Sequence, residues 1–381
     1  MVTACILLAL ILLLLGIETV RLTRQRRALS IRILVLGTRG KTTVTEYLAA
    51  ALRASGFRTL AKTTGSAPTL TLPDGSRRRV RRRSIARVTE QWRTVHLANR
   101  LGCNALVLEC MSVAPELQAL ESHILRPTLS VLTNILEDHQ EVYGEDEAWR
   151  VRLFTSSLPG KTVLVSGETR HADEVRRAAE YSGSTLIVPT GQEDASGIEP
   201  RSGAFELHLR LTPAAAAHLG IAPDAVRTAI RQLPAAVVYK ELPISSDGPI
   251  LRLLNAFAVN DVESASAFLE EWRRHLVNWE RTVILLNTRA DRPLRSLSFA
   301  RWCAALRDLE TIVLLGSHAP RTRRELQRLG IAPHRIRRWT GGLRVRPIEA
   351  LRPFATPGTI CVGVGNTAGD ALRLLDAVGM R

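Results

Sequence analysis

The chain has 381 residues, 45% of them hydrophobic and 23% charged, with a formal net charge of +16. At roughly 100–200 residues per domain this length predicts two domains, and the composition excludes a disordered or acidic solvating protein. Lysine occurs only at Lys41, Lys62, Lys161 and Lys240, so arginine supplies nearly all of the 52 basic residues. An arginine bias of that kind follows genome base composition and does not by itself identify a nucleic-acid binder.

From Met1 to Ile17 there is no charged residue, and ILLALILLLLG is almost continuously aliphatic. About 20 such residues in a helix span a hydrocarbon core of about 30 Å. Arg21, Arg24, Arg26 and Arg27 follow, with Arg32 close behind; the positive-inside rule keeps this end cytoplasmic. A cleaved signal would carry its charge before the apolar run and a small-residue cleavage site after it, and neither is present. Residues 1–20 therefore read as an uncleaved single-pass anchor, amino terminus outside, with the rest on the cytoplasmic face of the cytoplasmic membrane. The odd set Cys5, Cys103, Cys110, Cys303 and Cys361, without a C-x-x-C pair, predicts neither a disulfide framework nor a zinc site.

Short β-rich runs then alternate with amphipathic stretches, the pattern of an α/β fold with a mostly parallel sheet. Ile31–Leu36 reads as a buried strand. It runs into Gly37-Thr38-Arg39-Gly40-Lys41-Thr42-Thr43 and a helix from about Thr42 to Ser55. Glycines there let successive N–H groups face a polyphosphate, the helix terminus adds favourable partial charge, the lysine neutralises phosphate oxygens and the first hydroxyl suits Mg²⁺. The strict Walker pattern wants glycine at position 35, where this chain has Val35. The strand before and the helix after still support a phosphate loop, which alone permits a kinase, ATPase, GTPase or ligase.

A short strand Arg58–Ala61 leads to Lys62-Thr63-Thr64-Gly65, a candidate contact for an anionic substrate. Pro73-Asp74-Gly75 signals a hairpin whose second strand holds the arginines of the Arg77–Arg83 run. That run reads as a solvated face, an anionic-lipid contact or a grip on a polyanionic product; no recognition fold or aromatic interleaving points to nucleic acid. A helix is expected over Val88–Leu101 and a strand over Asn104–Glu109. Glu109 then lies at the carboxyl edge of the sheet, where open α/β sheets bind ligands, and an acid there can hold Mg²⁺. The strand Thr128–Thr133 closes on Asn134, Glu137, Asp138 and His139, a polar cluster at the same edge. Strands over Thr162–Ser166 and Thr185–Val188 and a helix over Pro223–Gln232 complete this domain.

LPISSDGP, over Leu242–Pro249, reads as a turn-rich linker. A second strand–helix series follows, with strands at Ile250–Ala258, Thr282–Leu286, Thr311–Leu315 and Thr359–Val364. The expected division is an anchor over 1–20, an ATP-binding central domain over 21–241 and a smaller α/β domain over 242–381.

G-T-R-G-K-T-T, K-T-T-G, A-L-V-L-E-C-M and T-N-I-L-E-D-H, in this order and spacing, resemble the Mur ligase family of ATP-dependent amide ligases. The E-C-M tripeptide, the A-K-T-T-G run and the amino-terminal anchor favour its membrane branch, the ligases of poly-γ-glutamate synthesis. The resemblance implies ATP and Mg²⁺ as cofactors. It implies that Gly37 to Thr43 cradle the nucleotide, that Lys41 and Thr42 hold the β/γ phosphates and the metal, that Glu109 and His139 are metal-site and catalytic residues, and that Asn134 lies close to the nucleotide. In the second domain it implies nucleotide-side roles for Asn260 and Asp261, within A-V-N-D, and for Arg289 and Arg292, within N-T-R-A-D-R. Gly363-Val364-Gly365-Asn366 either lines a cleft or makes a tight turn.

The partners implied are glutamate, a growing poly-γ-glutamate chain, the membrane, and multi-span and extracytoplasmic subunits of a synthase. Two departures stand out. Arg150–Phe154 holds no lysine where many peptidoglycan ligases carry a carbamoylated one, and the phosphate loop follows the apolar segment directly, which predicts a substrate other than a UDP-muramyl one. A family member acting on another amino acid or carboxylated polymer, and a membrane-tethered P-loop ATPase with a scaffold role, are the competing readings.

Overall fold

The computed structural model describes residues 2–64, 68–80, 82, 87–136, 143–144, 146–189, 206–233, 238–244, 248–259, 261–339 and 347–380. They form two compact units, the first reaching Leu233 and the second built from the residues that follow.

The first unit runs α1 (Val2–Ala28), β1 (Ile31–Leu36), α2 (Lys41–Ala54), β2 (Thr59–Thr63), β3 (Thr69–Thr71), β4 (Arg77–Arg79), α3 (Thr89–Arg100), β5 (Ala105–Glu109), α4 (Pro115–Leu125), β6 (Leu129–Leu132), α5 (Glu147–Ser156), β7 (Val163–Ser166), α6 (Ala172–Tyr181), β8 (Thr185–Ile187), α7 (Glu206–His218) and α8 (Pro223–Gln232). Its sheet has the order β4-β3-β2-β5-β1-β6-β7-β8. Only the β2–β3 and β3–β4 pairs are antiparallel. Strand alternation explains the two layers of helices. Ile31, Ile33 and Val35 of β1 join the core packed by Val44, Leu48 and Leu52 of α2 and by α7 and α8. Leu34 and Leu36 join the opposite core with Val95, Leu125, Phe154 and Val175 of α3 to α6. With both faces covered, the central strand is apolar at nearly every position.

β1 connects towards β2 on one side while β6 connects towards β7 on the other. The crevice at a doubly wound sheet's switch point therefore opens between the carboxyl ends of β1 and β6.

The expected hairpin forms as β3 and β4. Two expectations are corrected. β2 begins one residue later than expected and continues through Lys62 and Thr63, so these belong to a strand rather than to a turn after one. α1 does not stop near residue 20 but runs unbroken to Ala28. Among the described residues it alone is long and apolar enough to cross a membrane, with mean hydropathy 2.4 in its most apolar window.

The second unit runs β9 (Tyr239–Pro243), β10 (Ile250–Asn255), α9 (Val262–His275), β11 (Arg281–Thr288), α10 (Pro293–Ala305), β12 (Leu309–Gly316), α11 (Ala319–Arg328), β13 (Ile336–Arg338), α12 (Pro347–Leu351), β14 (Thr359–Val364) and α13 (Asp370–Ala377). Its sheet order is β13-β12-β11-β14-β10-β9, with β9 alone antiparallel. The segment expected as a linker is the connection between β9 and β10: Tyr239 pairs with Leu254 and Pro243 with Ile250. The second unit thus takes its edge strand from residues expected to belong to the first.

Candidate active site

The phosphate loop joins β1 to α2 and is held by the end of β6. Gly37 has φ 122°, and a Cβ on it would lie 2.0 Å from Thr133 Oγ1 and 3.0 Å from Asn134 N. Only glycine fits that approach. Thr38 N donates to Asn134 O at 3.0 Å. Thr38 Oγ1 donates to Asn134 Oδ1 at 2.7 Å, and Arg39 N donates to the same oxygen at 2.9 Å. Asn134 is thereby the brace that shapes the loop. Gly40, at φ 78°, opens α2 without a side-chain cap, which leaves first-turn N–H groups for an anion. Lys41 Nζ folds over the loop and donates to Gly37 O at 2.6 Å and Thr38 O at 3.3 Å.

Glu109 closes β5 beside this loop and is buried. Its Oε2 accepts from Thr42 Oγ1 at 2.9 Å and from Thr64 N at 2.8 Å. One carboxylate therefore joins the first hydroxyl of α2 to the end of the K-T-T segment. These are hard oxygen donors, and Mg²⁺ is ordinarily held by one or two such groups together with substrate phosphates. The donor set fits that ion. Among the described residues no group of three or more His, Cys, Asp or Glu side chains forms a self-sufficient metal cage. His139, Glu137, Asp138 and Asn260 lie outside the described residues.

Lys62 is placed differently from an open substrate contact. It is 1% exposed, ion-paired to Glu90 at 3.1 Å and hydrogen-bonded to Gln91 Oε1 at 3.1 Å. Burial pulls its pKa below the ordinary lysine value, against the nearby carboxylates. Gln91 Nε2 donates to Glu109 O at 3.0 Å and to Glu121 Oε2 at 2.6 Å. Glu121 in turn accepts from the backbone N–H groups of Met111 and Ser112. This buried network pins the chain after β5 and so fixes where Glu109 points. Cys110 sits within it, its thiol pushed well up by burial and unsuited to nucleophilic work. At the next strand end, Glu168 accepts from Ile135 N at 2.6 Å and His171 N at 3.0 Å, holding the segment after Asn134.

Sequence reasoning missed Gln91, Glu121 and Glu168. Glu168 carries the signal that identified Glu109, a carboxylate just beyond a parallel strand. Gln91 and Glu121 lie inside amphipathic helices and give no such signal.

In the second unit Asp261 caps α9, its carboxylate accepting from Ser264 N at 2.7 Å. Arg289 pairs with Asp291, and that contact holds the Asp291 carboxyl below its usual range. Arg292 takes the N-cap position of α10. Asn287 and Asn366 exchange side chain-to-carbonyl bonds, each at 2.8 Å, clamping the ends of β11 and β14. Gly365, at φ 103°, makes the close turn this clamp needs: a Cβ there would lie 2.5 Å from Asn287 O.

A phosphate loop and a strand-end carboxylate on a doubly wound sheet define a nucleotide-dependent enzyme, and residues 35–212 match the Mur ligase middle domain. The chain belongs to the Mur ligase family of ATP-dependent amide ligases. Residues 242–381 match the poly-gamma-glutamate synthase CapB C-terminal domain, which places the chain in the poly-γ-glutamate branch of that family. It is 25% identical over 361 residues to the capsule biosynthesis protein CapB of Bacillus anthracis, covering 93% of this chain and 78% of the relative. It is 27% identical over 316 residues to the PGA synthase CapB of Bacillus subtilis, covering 80% of each. Among solved structures, the bifunctional folylpolyglutamate synthase/dihydrofolate synthase of Yersinia pestis with AMPPNP and Mn ion has TM-score 0.65 at 14% identity, over 94% of this chain and 92% of the other. MurF of Acinetobacter baumannii has TM-score 0.60 at 15% identity, over 94% and 78%. The last two likenesses are of fold.

Proposed function

We propose that this chain is an ATP- and Mg²⁺-dependent ligase that extends a poly-γ-glutamate chain by γ-glutamyl amide bonds, anchored by α1 with its catalytic units on the cytoplasmic face of the membrane. The observation that carries the reading is the meeting of Thr42, Thr64 and Glu109 beside the phosphate loop. A bare ATPase loop gives no reason for a buried carboxylate to tie the loop helix to a second polar segment.

The chemistry has two steps. A substrate carboxylate oxygen attacks the γ-phosphorus of ATP, the bond to the β–γ bridging oxygen breaks, and ADP leaves. The amine of the incoming glutamate then attacks the acyl phosphate carbon, phosphate leaves, and the amine proton passes to solvent. Lys41 would exchange its Gly37 and Thr38 carbonyl partners for phosphate oxygens, neutralising charge as the γ-phosphoryl group transfers. The N–H groups of the loop orient the triphosphate. Mg²⁺, held by Thr42 and Glu109 with His139 as the further ligand that the family resemblance implies, supplies charge neutralisation on the phosphates. Lys62 serves as a brace for the segment that carries Thr64. Synthase partners, a multi-span membrane subunit and an extracytoplasmic one, belong to the same proposal, and the names of the two curated relatives support it.

The test is ADP release and amide product measured together, on membranes containing the chain and its synthase partners. Glutamate-dependent ADP release with γ-linked product by mass spectrometry is expected, and Lys41→Ala should reduce it at least a thousand-fold. ATP hydrolysis without amide product would overturn the proposal in favour of a tethered ATPase.

A further inference from the structure

All parallel strands of the first sheet present their carboxyl ends, and hence Glu109 and the phosphate loop, on one edge. The connections that enter those strands lie on the opposite edge, about 20 Å away along a strand the length of β1. These connections are 29–30, 55–58, 101–104, 126–128, 157–162 and 182–184; they contain Arg58, Arg126 and Lys161 and no Asp or Glu.

α1 arrives at this same edge. Arg26 Nε and Nη2 donate to Ile124 O and His123 O, each at 2.8 Å. Arg32 Nε donates to Arg126 O at 2.8 Å, while its Nη1 takes the carbonyls of Arg26 and Leu29 at the helix end. Beside them lies an open cleft of about 840 Å³ whose lining includes Arg32, His123, Arg126, Ser157 and Lys161 and no carboxylate. Among the described residues no acid pairs with Arg126 or Lys161. The cleft is thus a concentration of positive charge with hydroxyl groups and no internal counter-ion.

Val20 is the last exposed large aliphatic side chain of α1, and eight residues of helix, about 12 Å, separate it from Ala28. The headgroup layer, about 5–8 Å per leaflet, together with the reach of an arginine side chain bridges that interval. We propose that the strand-entry edge of the first sheet docks on the anionic phospholipid of the membrane that α1 crosses, with the Arg32–Arg126–Lys161 cleft taking a phosphodiester headgroup. This rests on the reading of α1 as an anchor. Its consequence is directional: the catalytic edge is turned away from the bilayer.

Arg126 and Lys161 both have left-handed backbones, φ 47° and 54°, so asparagine removes their charge at positions it tolerates well. Arg32 holds the end of α1 and is left unchanged. The full chain would be placed in nanodiscs of phosphatidylcholine, with and without phosphatidylglycerol, and amide hydrogen exchange followed over residues 122–130 and 156–164. Several-fold slower exchange is expected only with phosphatidylglycerol. R126N/K161N should lose most of that difference, the preference for anionic lipid falling roughly ten- to thirty-fold, while Arg126→Lys retains it. Equal exchange of the wild-type chain in both lipids overturns the docking face. So does equal protection in neutral discs by inorganic phosphate or by poly-γ-glutamate, which would make the cleft a site for a soluble anion. Recovery of the chain outside the discs overturns the anchor, and the docking with it.

Discussion

Gly37 and Gly40 separate two demands that a phosphate loop makes on a residue. Both have positive φ, but only Gly37 also faces a wall, with Thr133 Oγ1 at 2.0 Å from the place a Cβ would take. Gly40→Ala should therefore cost about 1–2 kcal/mol of backbone strain, whereas Gly37→Ala should cost more, because β6 and Asn134 must move. Thermal denaturation of the two variants checks the order, and equal losses would show that the Thr133 contact yields freely. Glu109→Gln keeps an acceptor for Thr42 and Thr64 but removes the charge. It should leave the melting temperature nearly unchanged and reduce glutamate-dependent ADP release a hundred-fold or more, since a strand-end carboxylate placed for a cation acts through its charge. An unaffected rate would remove Glu109 from the reaction. Glu109 and the loop were legible in the sequence because strand, glycine turn and strand-end acid follow rules of local geometry. Gln91 and Glu121 were not, because their partners are 18 and 30 residues away and only the folded sheet edge unites them.

At the scale of elements, the ends of β2, α3 and β5 are joined by charge as well as by packing. At Glu90 burial works upward, but the Arg82 and Lys62 contacts outweigh it and hold the carboxyl below its usual range. A carboxyl whose folded pKa lies below its unfolded value contributes stability above the ordinary glutamate value of about 4.3, and loses it as pH falls through the folded value. Lys62 has the opposite linkage. With its folded pKa depressed by burial, stability rises with pH between that value and the ordinary lysine value. Chemical denaturation of the wild type and Glu90→Gln should therefore diverge at pH 7 and converge below about pH 4. A difference independent of pH would mean that the side chain packs but its charge contributes nothing. The alternation of strands and helices was readable throughout this unit. β9 was not, because Pro243 and the turn residues after it mask an edge strand that needs hydrogen bonds on one side only.

For the whole molecule, the decisive feature is that α1 belongs both to the membrane reading and to the first unit's core. Leu22, Arg26 and Leu29 follow the i, i+4, i+7 spacing of one helix face. Leu29 is fully buried, Leu22 packs on the same cluster, and Arg26 holds two carbonyls at the end of α4. Composition marks where apolar residues stop, near residue 20, but not where the helix stops, because its last two turns are stabilised by tertiary contacts that hydropathy cannot register. Removing residues 2–20 should therefore yield a folded chain that no longer sediments with membranes and melts within a few degrees of the full chain. Removing residues 2–28 deletes the Arg26 bonds, the Leu22 contact and the helix-end carbonyl of Arg26 that Arg32 binds. Hydrogen bonds from a charged donor contribute about 1.5–3 kcal/mol each, so the longer deletion should lose several kcal/mol. Denaturant titration of both truncations decides the matter. If they are equally stable, α1 is only a tether and the unit begins at β1; if the longer one is markedly weaker, the helix end is part of the fold, and the orientation of the catalytic edge is set by the same contacts that stabilise it.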